Sequence, residues 1–272
     1  MSTHAPDDWD RHWDDYSQCA QENPALDYRR RVIFSLLAIR GTGEGVRLLD
    51  VGSGQGDMAA AVICKYASAK ILGVELSHSG VEISSRKVPG ARFVQRNLLE
   101  DVSLPPEYVG WATHAVCSEV IEHVDDPVRL LSSAREYMRE DCLLVVTAPG
   151  GPMSAFDRHI GHRKHYRPDD IKSVLREAGY RSADVSQAGF PFFNLYRYLV
   201  VLRGSKIIDD ATARGNRSAS LAARIAMAAF HPLFHLNLDS SPWGWQMTGK
   251  ARASASISGD LVSSAGVQEG AQ

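Results

Sequence analysis

The sequence predicts an α/β fold built on a doubly wound, mostly parallel sheet. Three observations carry that expectation. Short apolar runs alternate with helical patterns from residue 46 to residue 187, as in successive βα units. One unit contains Leu48-Leu49-Asp50-Val51-Gly52-Ser53-Gly54-Gln55-Gly56, an apolar strand that ends in an acid and breaks into alternate glycines before a helix. Doubly wound sheets hold their ligands at such junctions. Finally, 272 residues with 44% hydrophobic content suffice to bury one substantial core with a subdomain.

The elements follow in order. Asp7 to Ala20, rich in Trp, Asp and Tyr, is expected to form a short helix, and Pro24 opens a second over Ala25 to Ile39, stopped by Gly41-Thr42-Gly43. Val46 to Val51 is the first strand, and the Ala-rich Gln55 to Tyr66 is the helix after it. Lys70 to Leu76 is the second strand; Ser77 caps a helix running to about Lys87, and Ala91 to Arg96 is the third strand. Pro105-Pro106 break the chain before the fourth, Thr113 to Cys117. An amphipathic helix is expected from Pro127 to Arg139, a fifth strand over Cys142 to Thr147, a helix from Pro168 to Ala178 closed by Gly179, and a sixth strand over Tyr180 to Gln187. Trp243 to Arg252 alternates in strand fashion after an insertion, which suits antiparallel pairing beside strand six. The Ser/Ala/Gly-rich residues from Ala253 read as disordered. The expected organisation is an N-terminal helical cap over residues 1–44, an α/β core over 45–188, a helical insertion over 189–242, a last core strand over 243–252 and a tail over 253–272.

Composition narrows the partners. Net charge is −2 with no long basic block, which counts against nucleic acid. Cys19, Cys64, Cys117 and Cys142 lack C-x-x-C spacing and read as reduced thiols of a cytoplasmic protein. Met1 to Asp15 is polar and acidic, unlike a signal peptide. The most membrane-like run, Phe190 to Leu202, is too short to span a bilayer and is interrupted by Arg197; an interfacial helix stays open.

The glycine loop is spaced G-x-G-x-G, not the G-x-G-x-x-G of a dinucleotide fingerprint. With no diphosphate to cradle, Asp50 is free to face an amine, and Gly52, Ser53, Gly54 and Gly56 bring backbone close to the ligand. Glu75, at the end of strand two, is placed to accept two ribose hydroxyls. Asn97, with the N–H of Leu98, ends strand three and can meet an adenine edge. These groups suit S-adenosylmethionine (SAM), which carries an amino acid end, a sulfonium and a ribose. The chain resembles the class I SAM-dependent methyltransferases from roughly Trp13 to Arg252: L-L-D-V-G-S-G-Q-G is similar to their first motif, G-V-E-L-S to their second, and Cys117-Ser-Glu-Val-Ile-Glu-His-Val124 to the segment after strand four. The resemblance implies a seven-stranded sheet with an antiparallel last strand, and adds Ser118 to the cofactor set. Asn97 stands where the family usually has Asp, keeping an acceptor oxygen without the charge. Trp13 and Tyr16 suit a lid, and Tyr28-Arg29-Arg30 offers a cation for the methionine carboxylate.

Glu119, Glu122 and His123 follow strand four. If that segment is helical, positions i, i+3 and i+4 share a face, so two carboxylates and an imidazole converge as metal ligands or as a general-base cluster. A second cluster, His159, His162 and His165, lies downstream at the same sheet edge; His162 is favoured because Gly161 before it permits close approach. E-x-x-E-H with a later G-H is similar to ubiquinone-biosynthesis O-methyltransferases and to small-RNA 2′-O-methyltransferases. The second resemblance implies Mg²⁺ on Glu119, Glu122, His123 and His162; the metal-free alternative makes His123 or His162 the base.

Between strands six and seven about fifty residues carry large apolar groups, among them Phe190, Phe192, Phe193, Tyr196, Tyr198, Leu199, Ile225, Met227, Phe230, Leu233 and Phe234. They fit an acceptor pocket, ordinary packing or a dimer surface, or, with Arg203, Lys206, Arg214, Arg217 and Arg224, a peripheral membrane contact. The expected function is methyl transfer to a hydroxyl of a partly apolar small molecule such as a secondary metabolite, a quinone-like compound or a glycolipid. Transfer to nitrogen or carbon, and a non-catalytic binding subunit, remain alternatives.

Overall fold

The computed structural model describes residue 10 and residues 24–100, 103–203 and 230–254. The expected helix at 7–20, with Trp13 and Tyr16, lies outside these residues except for Asp10, as do Ile225, Met227 and the basic residues of 206–224; of Arg203 only the backbone is described.

From residue 24 the described chain forms α1 (Pro24–Leu37) and then runs β1 (Arg47–Val51), α2 (Asp57–Lys65), β2 (Lys70–Glu75), α3 (His78–Lys87), β3 (Arg92–Gln95) and β4 (Ala112–Ser118). It continues through α4 (Pro127–Arg135), β5 (Met138–Pro149), α5 (Ala155–His159), α6 (Pro168–Glu177), β6 (Tyr180–Ala188), α7 (Phe192–Arg203) and β7 (Gln246–Ala253). The strands form one seven-stranded sheet, ordered β3-β2-β1-β4-β5-β7-β6. All neighbours from β3 to β5 are parallel; β7 enters antiparallel between β5 and β6, pairing Thr147 with Thr248 and Ser186 with Thr248.

Alternation of side chains along each strand builds two cores from one sheet. Leu49, Val51, Leu72, Ala115, Leu144 and Val146 face α4 and α6, which bury Leu130, Leu131, Ile171 and Leu175. Leu48, Ile71, Val116 and Val145 face the other way, against Ile33, Leu37, Met58 and Val62 of α1 and α2. A third cluster joins Tyr28 of α1 to Phe193 of α7 and to Phe234, fastening the start of α7 beside the sheet's carboxyl edge. Ser77 caps α3, accepting from the Gly80 N–H at 2.9 Å.

Three expectations are corrected. The helix begun at Pro127 ends at Arg135 instead of Arg139, because Met138 is drawn into the sheet opposite Ala112 and buries its side chain there. The last strand begins at Gln246, not Trp243: Ser241 to Gly244 form a turn in which Gly244 packs so tightly that a Cβ would sit 2.3 Å from the Ala188 carbonyl oxygen. Ala253, expected to open the tail, pairs with Tyr180 and is fully buried. Along α7, Leu195, Tyr198, Leu199 and Leu202 are exposed, while Phe193 is buried. No helix among the described residues is long and apolar enough to cross a membrane.

Candidate active site

The β1–α2 loop turns through left-handed backbone at Gly52, Gly54 and Gly56. At Gly52 the φ of +68° is compounded by proximity, since a Cβ there would lie 2.6 Å from Val120 Cγ2. The N–H groups of Gly52 and Ser53 both donate to the Val74 carbonyl, which ties the loop to β2. Glu75, at the end of β2, completes the tie: its carboxylate accepts from the Gly54 N–H at 2.7 Å and the Ser77 N–H at 3.0 Å. Burial pushes the Glu75 carboxyl up, against those N–H groups, which hold it down. Asp50 is buried with Oδ2 lacking a hydrogen-bond partner, and burial, reinforced by Glu75 and Asp57, raises its pKa to about 7. Asn97 Oδ1 accepts from the Leu99 N–H at 3.0 Å, and Ser118 Oγ lies 2.9 Å from Thr147 Oγ1.

Asp50, Glu75, Asn97 and Ser118 line a cavity of about 610 Å³, together with Gly52, Ser53, Gly54, Leu98, Glu119, His123 and His162, whereas Gly56, expected to meet the ligand, packs against Ser84 instead. Phe156, Ile160, Phe193, Tyr196, Val200 and Trp245 line the same cavity and make it largely apolar beyond the loop. Of the insertion residues expected at a pocket, Phe193 and Tyr196 line the cavity, whereas Tyr198 and Leu199 face outward.

The Glu119–His123 segment departs from the helical expectation. Glu119 extends the sheet, donating its N–H to the Thr147 carbonyl, at a left-handed φ of 56°, and only Ile121–His123 coil, as a single 3₁₀ turn. Glu119 therefore turns away from its neighbours, to an ion pair with Arg29 at 2.9 Å and a hydrogen bond from Gln246 Nε2 at 3.0 Å. Arg29, expected to meet a ligand carboxylate, spends its charge on that pair, and Arg30 lies 3.4 Å from Asp57. Glu122 points inward and is fully buried, with neither carboxyl oxygen hydrogen-bonded. Burial, reinforced by the Glu119 charge, drives its pKa far up.

His162 joins this turn from the loop after α5. Its ring meets His123 edge-on, with centroids 4.7 Å apart at 90°. Glu122, His123 and His162 place one potential ligand atom each within 4.8 Å of one another, as do Asp157, His162 and His165. The first set does not fit Mg²⁺, which takes hard oxygen ligands and retains water. It offers one carboxyl, whose charged form burial disfavours, and two imidazoles, while Glu119 is paired with Arg29.

Several partners went unread in the sequence. Asp157, N3 of the Ser154 capping box, accepts from the Ser154 N–H and hydroxyl and from Arg197 at 3.0 Å. Although burial works against it, Arg197 and Ser154 keep Asp157 below the ordinary carboxylate range. It lies 3.9 Å from His162 Nδ1 and 3.8 Å from His165 Nε2. Burial lowers His162 to about 4, overriding the Asp157 charge, so its imidazole is neutral at pH 7. His159 is exposed.

A family model for the methyltransferase domain matches residues 21–185, more than half of the chain. The chain belongs to the methyltransferase-domain family. Malonyl-acyl-carrier-protein O-methyltransferase of Geobacter sulfurreducens is 26% identical over 167 residues, 56% of this chain and 62% of that one. Ubiquinone biosynthesis O-methyltransferase of Marinobacter nauticus is 21% identical over 174 residues, 56% of this chain and 71% of its own length. The chain thus spans a little under two thirds of the first relative. Among solved methyltransferases, Haemonchus contortus phosphoethanolamine N-methyltransferase 2 in complex with S-adenosyl-L-methionine superimposes with a TM-score of 0.54 at 14% identity, covering 83% of this chain and 52% of that one, a likeness of fold.

Proposed function

We propose that this methyltransferase-family chain moves the methyl group of SAM to a hydroxyl of a partly apolar small molecule, with His162 as general base. One observation carries the reading: a single cavity is lined both by the Asp50, Gly54, Glu75 and Asn97 cradle and by a neutral imidazole set among apolar side chains. The relatives' names, both O-methyltransferases, support oxygen as the acceptor atom. Bound SAM would supply an electrophilic methyl on a sulfonium, which leaves as a neutral thioether. Asp50 faces the amine, Glu75 the ribose hydroxyls, and Asn97 with Leu98 the adenine edge. His162 takes the proton of the acceptor hydroxyl as the O–C bond forms and the C–S bond breaks, its electron pair going to sulfur. Phe156, Ile160, Phe193 and Tyr196 exclude water and hold the acceptor.

The test is incubation of the full chain with methyl-labelled SAM and a panel of hydroxylated aromatic and quinone-like compounds. Label on an acceptor oxygen, with S-adenosylhomocysteine formed in equal amount, is the expected result. Failure to bind SAM at high micromolar concentration in calorimetry sinks the proposal. Because no Mg²⁺ takes part, activity is expected to persist in excess EDTA; loss on chelation, restored by Mg²⁺, overturns the metal-free mechanism.

Asp50 gives the cofactor site a pH dependence. Its folded pKa of about 7 lies above the unfolded value, so its contribution to stability is present below about pH 4 and lost as pH rises through 7. The carboxylate formed over that range is the species that attracts the amine. Titration calorimetry is therefore expected to show SAM affinity rising between about pH 6 and 8, and Asp50→Asn to flatten the rise. An unchanged slope in that variant removes Asp50 from the amine site.

A further inference from the structure

We propose that His165 is a positioning residue, which together with the Gly151 carbonyl fixes the His162 ring as the Nδ1–H tautomer and leaves Nε2 bare for the acceptor proton. The inference rests on His162 being the base and adds the device that makes it one.

The geometry is a chain of two hydrogen bonds. His165 Nδ1 lies 3.1 Å from the Gly151 carbonyl oxygen, and His165 Nε2 lies 3.2 Å from His162 Nδ1. A carbonyl only accepts, so Nδ1 of His165 carries the proton. Burial lowers both imidazoles, which favours the neutral form of each ring at pH 7. Nε2 of His165 is then a lone pair, and it accepts from the Nδ1–H of His162. The remaining nitrogen of His162, Nε2, has no proton. One backbone oxygen thus sets the proton inventory of a catalytic ring two bonds away.

That oxygen is itself held. The Gly150 N–H donates to the Trp245 carbonyl at 2.8 Å, and a Cβ at Gly151 would lie 2.6 Å from the Trp245 ring, so this turn admits little movement. His165 is held from its other side. The Tyr166 N–H donates to the Pro149 carbonyl, and the Tyr166 hydroxyl to the Ile121 carbonyl at 2.9 Å, beside the turn that carries His123. Asp157 cannot do the orienting. It is beyond hydrogen-bonding distance of both rings, and Ser154 and Arg197 occupy its oxygens. Its part is to set a negative charge near the imidazolium formed when Nε2 takes the proton.

Long-range ¹H–¹⁵N correlation spectra of the full chain labelled at histidine test this directly, with His162 assigned by the resonances lost in His162→Gln. The expected wild-type pattern at neutral pH is a protonated Nδ1 and a bare Nε2; an Nε2–H tautomer or an averaged ring overturns the proposal. His165→Leu is expected to average the His162 tautomers and to lower kcat on the order of 10-fold or more, part of a general base's full contribution, with SAM affinity unchanged. His165→Gln, which keeps an acceptor oxygen near the lost Nε2, is expected to recover most of that loss. A leucine variant that keeps both the tautomer and kcat overturns the proposal. The wild-type spectrum needs neither cofactor nor acceptor nor a folded variant. A chain that shows the expected tautomer yet transfers no methyl group sinks the functional reading instead.

Discussion

His162→Gln is expected to lower kcat by roughly 10²–10⁴-fold, the usual worth of a general base, and to leave the SAM dissociation constant nearly unchanged. The split follows from position. His162 sits on the loop after α5, and its hydrogen bonds among the described residues go to His165 and to the Asp157 carbonyl, none to Asp50, Gly54 or Glu75. Glutamine keeps the size and a polar end but cannot take a full proton. His123→Gln is the internal comparison, because its ring lies edge-on to His162 and lines the same cavity. If His162 is the base, the His123 variant loses far less. Equal kcat for His162→Gln and wild type at saturating SAM and acceptor would move the base to His123.

The parts of this molecule written in local patterns were legible from sequence. The β1 run into alternate glycines, the Ser77 cap and the placing of Glu75 at the end of β2 each depend on a few consecutive residues, and each is found in the structure. The misjudged boundaries were decided by distant strands. Arg135 to Arg139 has a helical pattern, but pairing of Met138 with Ala112 and burial of Tyr137 win over it. The Glu119–His123 spacing is that of a helical face, yet the ladder to Thr147 claims Glu119 for the sheet. The ion pairs of the site were illegible for the same reason. Arg29 meets Glu119 from α1, and Arg197 meets Asp157 from α7. No window of sequence holds both partners. A faint signal did exist at Asp157, in the Ser154-x-x-Asp157 capping pattern that marks a fixed acid beside the histidine cluster.

Gly54→Arg is expected to weaken SAM binding at least about 100-fold without unfolding the protein. Gly54 has a φ of +51° and lines the cavity, so any side chain there enters the space that the cofactor reading assigns to SAM. Left-handed backbone costs a non-glycine residue on the order of 1–3 kcal/mol, an expense the fold can meet because the new guanidinium enters beside two carboxyls with raised pKa values, Asp50 and Glu75. Pairing with arginine draws both back toward the charged state. The variant is therefore expected to keep its circular dichroism spectrum and to melt within a few degrees of wild type, while its calorimetric titration with SAM is flat. Glu75→Gln separates blockade from the loss of one contact. Its one carbonyl oxygen keeps an acceptor for only one of the Gly54 and Ser77 N–H groups, which the two carboxylate oxygens accept separately, and the charge that favours the ribose hydroxyls is lost, so its affinity should fall on the order of 10-fold or more, at least the worth of one charge-assisted hydrogen bond. Near-normal SAM affinity in Gly54→Arg would show that the cofactor lies elsewhere, and would remove the glycine loop from the active site however closely its sequence follows the family.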